Sequence, residues 1–372
     1  MGLHGNDPKG DGMTLGRARW IVCAAFTLAA LTGSASSAPT SFGQAEVLAR
    51  VPNPPGFPEG IAVDGGRFYV AGPATFGTAG KPPSQVVAFD TATGAKVAQW
   101  AAQGENTLME HANSSIALDA AGRIYVLNTQ LGIYRLDPVT GVQQPYGAPF
   151  PDLLPCLLPL PGPCSPTLTN LPSIPNDIAF DPAGNAYVTD SMQATIWKVP
   201  AGGGAPTIWF QDMRFASPYI GTNGLRLNPA RTHVFVTVTT DLLGRGTVDT
   251  LPLVAAPQKS DLKVFHRYAG GDLPDGIAFG ASGLLYVAMA TPTRSGVSIL
   301  SPGGIEIARL QNKPLRPFRP YDSPANIAFK PPGSILLTNH AFVSGVVLPN
   351  QFSVVEAFVG DTASPLVRPA LP

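Results

Sequence analysis

Short runs in which apolar and polar residues alternate recur along the chain, each closed by a polar turn and followed by a second apolar run. Residues 175–190, PNDIAFDPAGNAYVTD, show the unit most clearly. A polar side chain, Asn176, opens a strand over 178–180, a turn follows over 181–184, and a second strand rises over 186–189. Similar text recurs as PEGIAVDGGRFYVAG from Pro58, ANSSIALDAAGRIYVLN from Ala112, TNGLRLNPARTHVFVT from Thr222, PDGIAFGASGLLYVAM from Pro274 and ANIAFKPPGSILLTN from Ala325. The six copies carry an oxygen-bearing side chain just before the strand: Glu59, Asn113, Asn176, Asn223, Asp275 and Asn326, spaced by 54, 63, 47, 52 and 51 residues. A four-stranded propeller blade takes roughly 40 to 50 residues, so each interval holds one blade and some loop. The pattern predicts an all-β, six-bladed β-propeller. With the repeated strand innermost, all six leading side chains are expected to point, in register, into a central channel.

The text outside the repeats completes this picture. Residues 46–51, EVLARV, have strand character but precede the first inner strand; they are expected to pair with 352–359, FSVVEAFV, closing the ring and removing two sheet edges. The Pro-rich stretch 146–175 lengthens the second interval and leads into Asn176, which predicts a rim or lid on the face bearing the polar ring. A second long connection is expected over 241–259, as another rim element or a surface excursion. No amphipathic helix of any length is predicted.

Composition narrows the class. Gly and Pro number 40 each, about a fifth of the 372 residues against roughly 12% in an average protein, which suits a fold with many turns. Lys plus Arg equals Asp plus Glu at 24 each, and charged residues are only 13%, so nothing points to a nucleic-acid partner. At the N-terminus, Met13 is followed by Arg17 and Arg19, an apolar run over 20–31 and the small residues GSASSA, as in a secretory signal peptide cleaved between Ala35 and Ala38. The apolar run is too short to span a bilayer comfortably, though an uncleaved anchor is the alternative. The expected organisation is thus a leader over 1–38 and a single propeller over 39–372, exported to the periplasm or beyond, monomeric and without stable membrane insertion. Cys156 and Cys164 are then the only cysteines of the mature chain, and in an oxidising compartment they are expected to form one disulfide.

Glu59, Asn176, Asn223 and Asp275 offer two carboxylates and two carboxamides, with no sulfur or imidazole. Hard oxygen donors of this mix suit Ca²⁺, with Mg²⁺, Mn²⁺ or Zn²⁺ as alternatives. A dication would also compensate two carboxylates confined to one channel. Taken singly, each of these residues could instead merely start a strand and bond local backbone. Asn113 and Asn326 fill the other two places as candidate substrate contacts, with Arg214 and Tyr219, upstream of Asn223, as candidates for a pocket wall. His111 lies near the open face and is a candidate base or substrate ligand, whereas His340 is expected nearer the opposite side in a structural role, and His233 and His266 are expected to be ordinary. No GxSxG elbow, phosphate-binding Gly loop or zinc signature occurs.

The order PEG, PND with DPAGNAYV, TNG and PDG resembles the six-bladed calcium-dependent propellers of the regucalcin, gluconolactonase and LRE-like family, over residues 46–359. That resemblance implies one divalent metal held by Glu59, Asn176, Asn223 and Asp275, and hydrolysis of a lactone or related activated ester. The metal would polarise the carbonyl, and Asp275 would act as general base or nucleophile. The apolar, Pro-rich rim departs from the family and favours an apolar lactone or aryl ester over a hydroxylated sugar lactone. Two other readings are a non-catalytic propeller that binds a protein or glycan, and a metal-free strictosidine synthase-like propeller.

Overall fold

The structure is a computed structural model describing residues 38–156, 162–167, 169–316, 318–347 and 351–372. The expected leader, apart from its last residue, and the centre of the disulfide loop lie outside these residues. Among the described residues, twenty-four strands form six four-stranded antiparallel sheets, the blades of a six-bladed propeller. Their inner strands begin blades 1 to 6 in order: Ile61–Asp64, Asn113–Leu118, Pro175–Phe180, Thr222–Leu227, Pro274–Phe279 and Pro324–Lys330. Only one α-helical turn, Ser344–Val347, and two 3-10 turns interrupt this pattern among the described residues.

Each blade buries both faces because its neighbours pack against both. In blade 3, Ala186 and Val188 join blade 2 in one apolar cluster, while Tyr187 between them joins blade 4 in another. Six such clusters fill the six interfaces. The second strand of a blade is therefore apolar at almost every position, as in Ile124–Asn128, IYVLN.

The ring closes as the sequence predicts. Ala45–Arg50 pairs antiparallel with Ser353–Phe358, so the N-terminal strand is the outer strand of blade 6, with Ala45 opposite Ala357 and Arg50 opposite Ser353. The expected long loop over 241–259 is mostly absent: a tight turn at Asp241–Gly244 leads into the eight-residue strand Arg245–Pro252. Its alternation was hidden because Thr247 and Asp249, though polar, are buried. The loop that remains lies after this strand, between the outer two strands of blade 4.

Candidate functional site

The inner strands carry a β-bulge at their entry. In blade 3, Pro175 pairs with Asp190 and Ile178 with Val188, leaving Asn176 and Asp177 opposite the single residue Thr189. Pairing slips at the corresponding place in blades 2, 4, 5 and 6. Counted back from the first regularly paired apolar residue, two levels result. The upper level holds Glu59, Ser114, Asn176, Asn223, Asp275 and Ala325; the lower holds Gly60, Ser115, Asp177, Gly224, Gly276 and Asn326.

The expected ring of six in one register is thereby corrected at two places. Asn326 sits one level deeper, its Oδ1 receiving the Ile327 amide and, at 3.3 Å, Arg226 Nη2. Asn113 sits one residue too early: it is fully buried within blade 2, donating to Tyr134 at 3.1 Å and accepting from Asn128 at 2.8 Å. The other four expected residues occupy the same level.

At that level Glu59 and Asp275 interact side chain to side chain, and Asn223 contacts Asp275. Burial pushes both carboxyls well above their ordinary range. For Glu59 the Asp275 and then the Asp177 charges add to it; for Asp275 the Asp177 charge does. Asn223 Nδ2 donates to Thr239 at 3.0 Å, leaving its Oδ1 buried without a partner, and Asp275 Oδ1 is likewise buried and unpartnered. Orphaned acceptor oxygens beside two crowded carboxylates are costly unless a cation satisfies them. The donors present therefore fit a hard dication. Among the described residues no three His, Cys, Asp or Glu side chains are placed to hold one metal ion by themselves, and half of this donor set is carboxamide.

Beneath this level Arg226 of blade 4 crosses the channel. Its Nη1 is 2.7 Å from Asp177 Oδ2 in blade 3, and its Nη2 reaches Asn326 in blade 6, on the far side of the ring. Asp177 also accepts from Ser115 of blade 2 at 2.6 Å and from the Leu225 amide at 2.8 Å. The guanidinium thus forms a septum under the carboxylates. Glycine at 60, 224 and 276 lets the inner strands approach: a Cβ on Gly224 would lie 2.5 Å from Asp275 O, and one on Gly276 2.5 Å from Asn326 Oδ1.

Threonines on second strands hold three of the four expected metal ligands, all on the upper level. Thr189, Thr237 and Thr338 occupy one repeated position, and each hydroxyl donates to a carbonyl of the next blade: Asn223 O, Asp275 O at 2.7 Å and Glu59 O at 2.6 Å. If these residues hold a metal, Thr338→Val should weaken its binding about 10- to 100-fold. The accompanying loss of stability should stay near 1–3 kcal/mol. Calorimetric titration with Ca²⁺ together with thermal unfolding checks this; unchanged affinity would deny the threonines a positioning role.

The remaining candidates divide. His340 directly follows the second strand of blade 6, Ser334–Asn339, and lies beside the carboxylates, with Nε2 3.8 Å from Glu59 Oε2 and 2.7 Å from Ala74 O. This corrects its expected place on the opposite side. Burial lowers its pKa, with the Ala74 carbonyl opposing, and its ring packs against Phe57 and Phe342. An available signal is that an antiparallel second strand returns to the face where the first began. His111 is corrected in the other sense: it is buried, and its Nδ1 and Nε2 lie 2.9 and 3.0 Å from Met109 O and Pro82 O. Burial disfavours its charge, but those carbonyls with Glu105 and Glu110 outweigh it and raise the pKa. Both nitrogens are occupied, so this ring ties two loops together. Arg214 is not a pocket wall either, since it is bonded to Asp212 at 2.8 and 2.9 Å and to Leu262 O at the outer edge of blade 4. Tyr219 is exposed on the loop entering blade 4. His233, exposed at the start of the second strand of blade 4, bonds Thr232, and His266 bonds Gly304 O.

The loops on this face are apolar at their tips. Phe76, Leu108, Met109, Leu243, Phe342 and Val346 all stand exposed on connections that begin or end at the mouth-side ends of strands. Among them lie the described parts of the insert over 146–175, in which Cys156 and Cys164 are joined by a disulfide. Its flanks are clamped to blade 3: Gln193 bonds the Leu153 amide and Pro151 O, and Ser165 bonds Gln193 O. Asp190 anchors the approach to Asn176 by accepting from Ser173, the Ile174 amide and Trp197.

Fold and site together define a six-bladed propeller with an oxygen-rich channel mouth. The chain belongs to the SMP-30/gluconolactonase/LRE-like family, whose model matches residues 83–318, more than half of its length. Solved structures share the fold at low identity. A calcium-binding protein, regucalcin, from Agrobacterium tumefaciens is 19% identical with a TM-score of 0.60, over 88% of this chain and 97% of that one. A luciferin-regenerating enzyme is 14% identical with a TM-score of 0.58, over 88% and 99%. A gluconolactonase from Xanthomonas campestris is 13% identical with a TM-score of 0.54, over 87% and 98%. No curated protein matches the sequence significantly.

Proposed function

We propose that this protein is an exported, metal-dependent hydrolase of apolar lactones or related activated esters, working at the upper level of the channel. The observation that carries the reading is the convergence of Glu59, Asn223 and Asp275, with Asn223 Oδ1 and Asp275 Oδ1 buried and unpartnered. Membership of a family that includes gluconolactonases supports the reaction class, and the calcium-binding relative supports the cation.

Glu59, Asn176, Asn223 and Asp275 would hold the cation, which when bound supplies Lewis-acid polarisation of a substrate carbonyl. Asp275 would either take a proton from the attacking water or attack the carbonyl itself. The threonine hydroxyls hold the backbone of this set in place, and the apolar loop tips would seat the substrate's apolar portion and thin the water around it. Among the described residues no helix is long and apolar enough to cross a membrane.

A panel of aliphatic lactones and aryl esters, assayed before and after chelation, tests the reading. Hydrolysis that disappears on chelation and returns with Ca²⁺ is expected, with apolar lactones preferred. Full activity in chelator would remove the metal from the mechanism. Inactivity of protein shown to bind its metal would favour a non-catalytic propeller that binds a protein or glycan.

A further inference from the structure

The channel continues below the Arg226 septum into a second chamber of about 440 Å³, within the range that encloses small organic ligands. All six inner strands line it. Directly under the septum the wall is aliphatic, with Ile61, Ile116, Ile178 and Ile327, and further down it becomes aromatic at Phe180, Phe279 and Phe329. The ionisable side chains of the lining are Arg226, Arg231 and Arg368, with no carboxylate among them.

Those three arginines differ in availability. Arg226 is committed to Asp177, whose charge would repel a second anion there. Arg368 is bonded to Asp64 at 2.6 Å and to Val63 O at 2.7 Å. Arg231, at the lower mouth, is exposed, and its guanidinium has no hydrogen bond or ion pair among the described residues. Across the same mouth runs the segment 363–368. It is fixed to blade 5 by a bridge between Ala363 and Gly280 and by the Ser364 amide on Phe279 O, and to blade 1 by Arg368. Leu366 in this segment lines the chamber while remaining largely exposed.

We propose that the lower chamber binds a small amphiphilic carboxylate, its apolar chain inserted toward the isoleucines and its anionic head at Arg231. The polarity follows from the charges: the deep end is walled by aliphatic carbons under a neutralised guanidinium, and the uncompensated cation stands at the entrance. This site is separated from the upper level by Arg226 and Asp177 and does not depend on the hydrolase reading.

Calorimetric titration with octanoate, and with octanol as the uncharged probe, tests the proposal on the full protein in excess chelator. One equivalent of octanoate should bind, with slowed amide hydrogen exchange across 363–368. Arg231→Glu, an exposed substitution, should weaken octanoate about tenfold or more by like-charge repulsion and leave octanol unchanged. Ala179→Leu, which fills the wall, should weaken both. Absence of octanoate binding in chelator overturns the proposal, as does octanoate binding to Arg231→Glu with wild-type affinity or protection appearing at the upper mouth instead of 363–368. Because the titration is made without metal and without turnover, its result is independent of whether the upper site proves to be a hydrolase.

Discussion

Replacing Asp275 with asparagine is expected to abolish metal-dependent hydrolysis while leaving the propeller folded. Asp275 is one of two carboxylates at the upper level and carries one of the two unpartnered oxygens there. Lewis-acid stabilisation of developing charge is worth several kcal/mol, so its loss should lower turnover on the order of 10³-fold or more. Ca²⁺ affinity should fall in the same variant. A second readout separates this from misfolding. Burial holds the Asp275 and Glu59 pKa values well above the ordinary 3.8 and 4.5. In the metal-free protein, the stability associated with their protonated forms is therefore fully present below those ordinary values. It is lost as pH rises through the raised folded values. Asp275→Asn removes one of the two charges, so metal-free variant and wild type should differ least in acid. At neutral pH and above, the variant should be the more stable of the two. Retained hydrolysis, or a metal-free variant that is less stable than wild type at neutral pH, would count against the assignment.

Replacing Arg226 with methionine is expected to produce the largest loss of stability. The side chain is shorter and uncharged, and it leaves the fully buried Asp177 carboxylate facing the channel without its cation. Breaking a buried pair from one side costs roughly 3–5 kcal/mol, because the remaining charge is uncompensated. The double variant Arg226→Met with Asp177→Asn removes that charge and should recover a substantial part of the loss. Urea unfolding of the two variants checks the account; a double variant no more stable than the single one would show that Arg226 matters by packing and not by charge. The interaction joins three blades, since Asp177, Arg226 and Asn326 belong to blades 3, 4 and 6. Cooperativity of unfolding should also be lower in the single variant.

Much of this architecture was legible in one dimension. A blade is a local object, four strands joined by short turns, so six similar stretches of text imply six similar blades, and the apolar content of 46–51 and 352–359 implied the strand pairing that closes them. The oxygen-bearing residues at 59, 176, 223 and 275 could be read because each stands two residues before the first regularly paired apolar residue of its strand. Asn113 and Asn326 stand in similar text but three residues and one residue before it, respectively. A shift of one residue turns a side chain to another level or another face, and only the bulges in the pairing reveal which.

Other features depended on closure of the ring. Arg226 resembled an ordinary polar position in a strand until the ring brought Asp177 and Asn326 to opposite sides of its guanidinium. His340 is distant in sequence from Glu59, and the two meet only where blade 6 packs against blade 1. The lower chamber is bounded by one short segment from each blade and by the strap over 363–368, none of which defines a cavity alone. The sequence by itself determined the repeated hairpin, its number and the chemical type of the side chains at the channel mouth, because these follow from local propensity and periodicity. The tertiary structure decided the level each side chain occupies, the septum and the second chamber, because those are distances across a closed ring, set by register and packing between segments far apart in the chain.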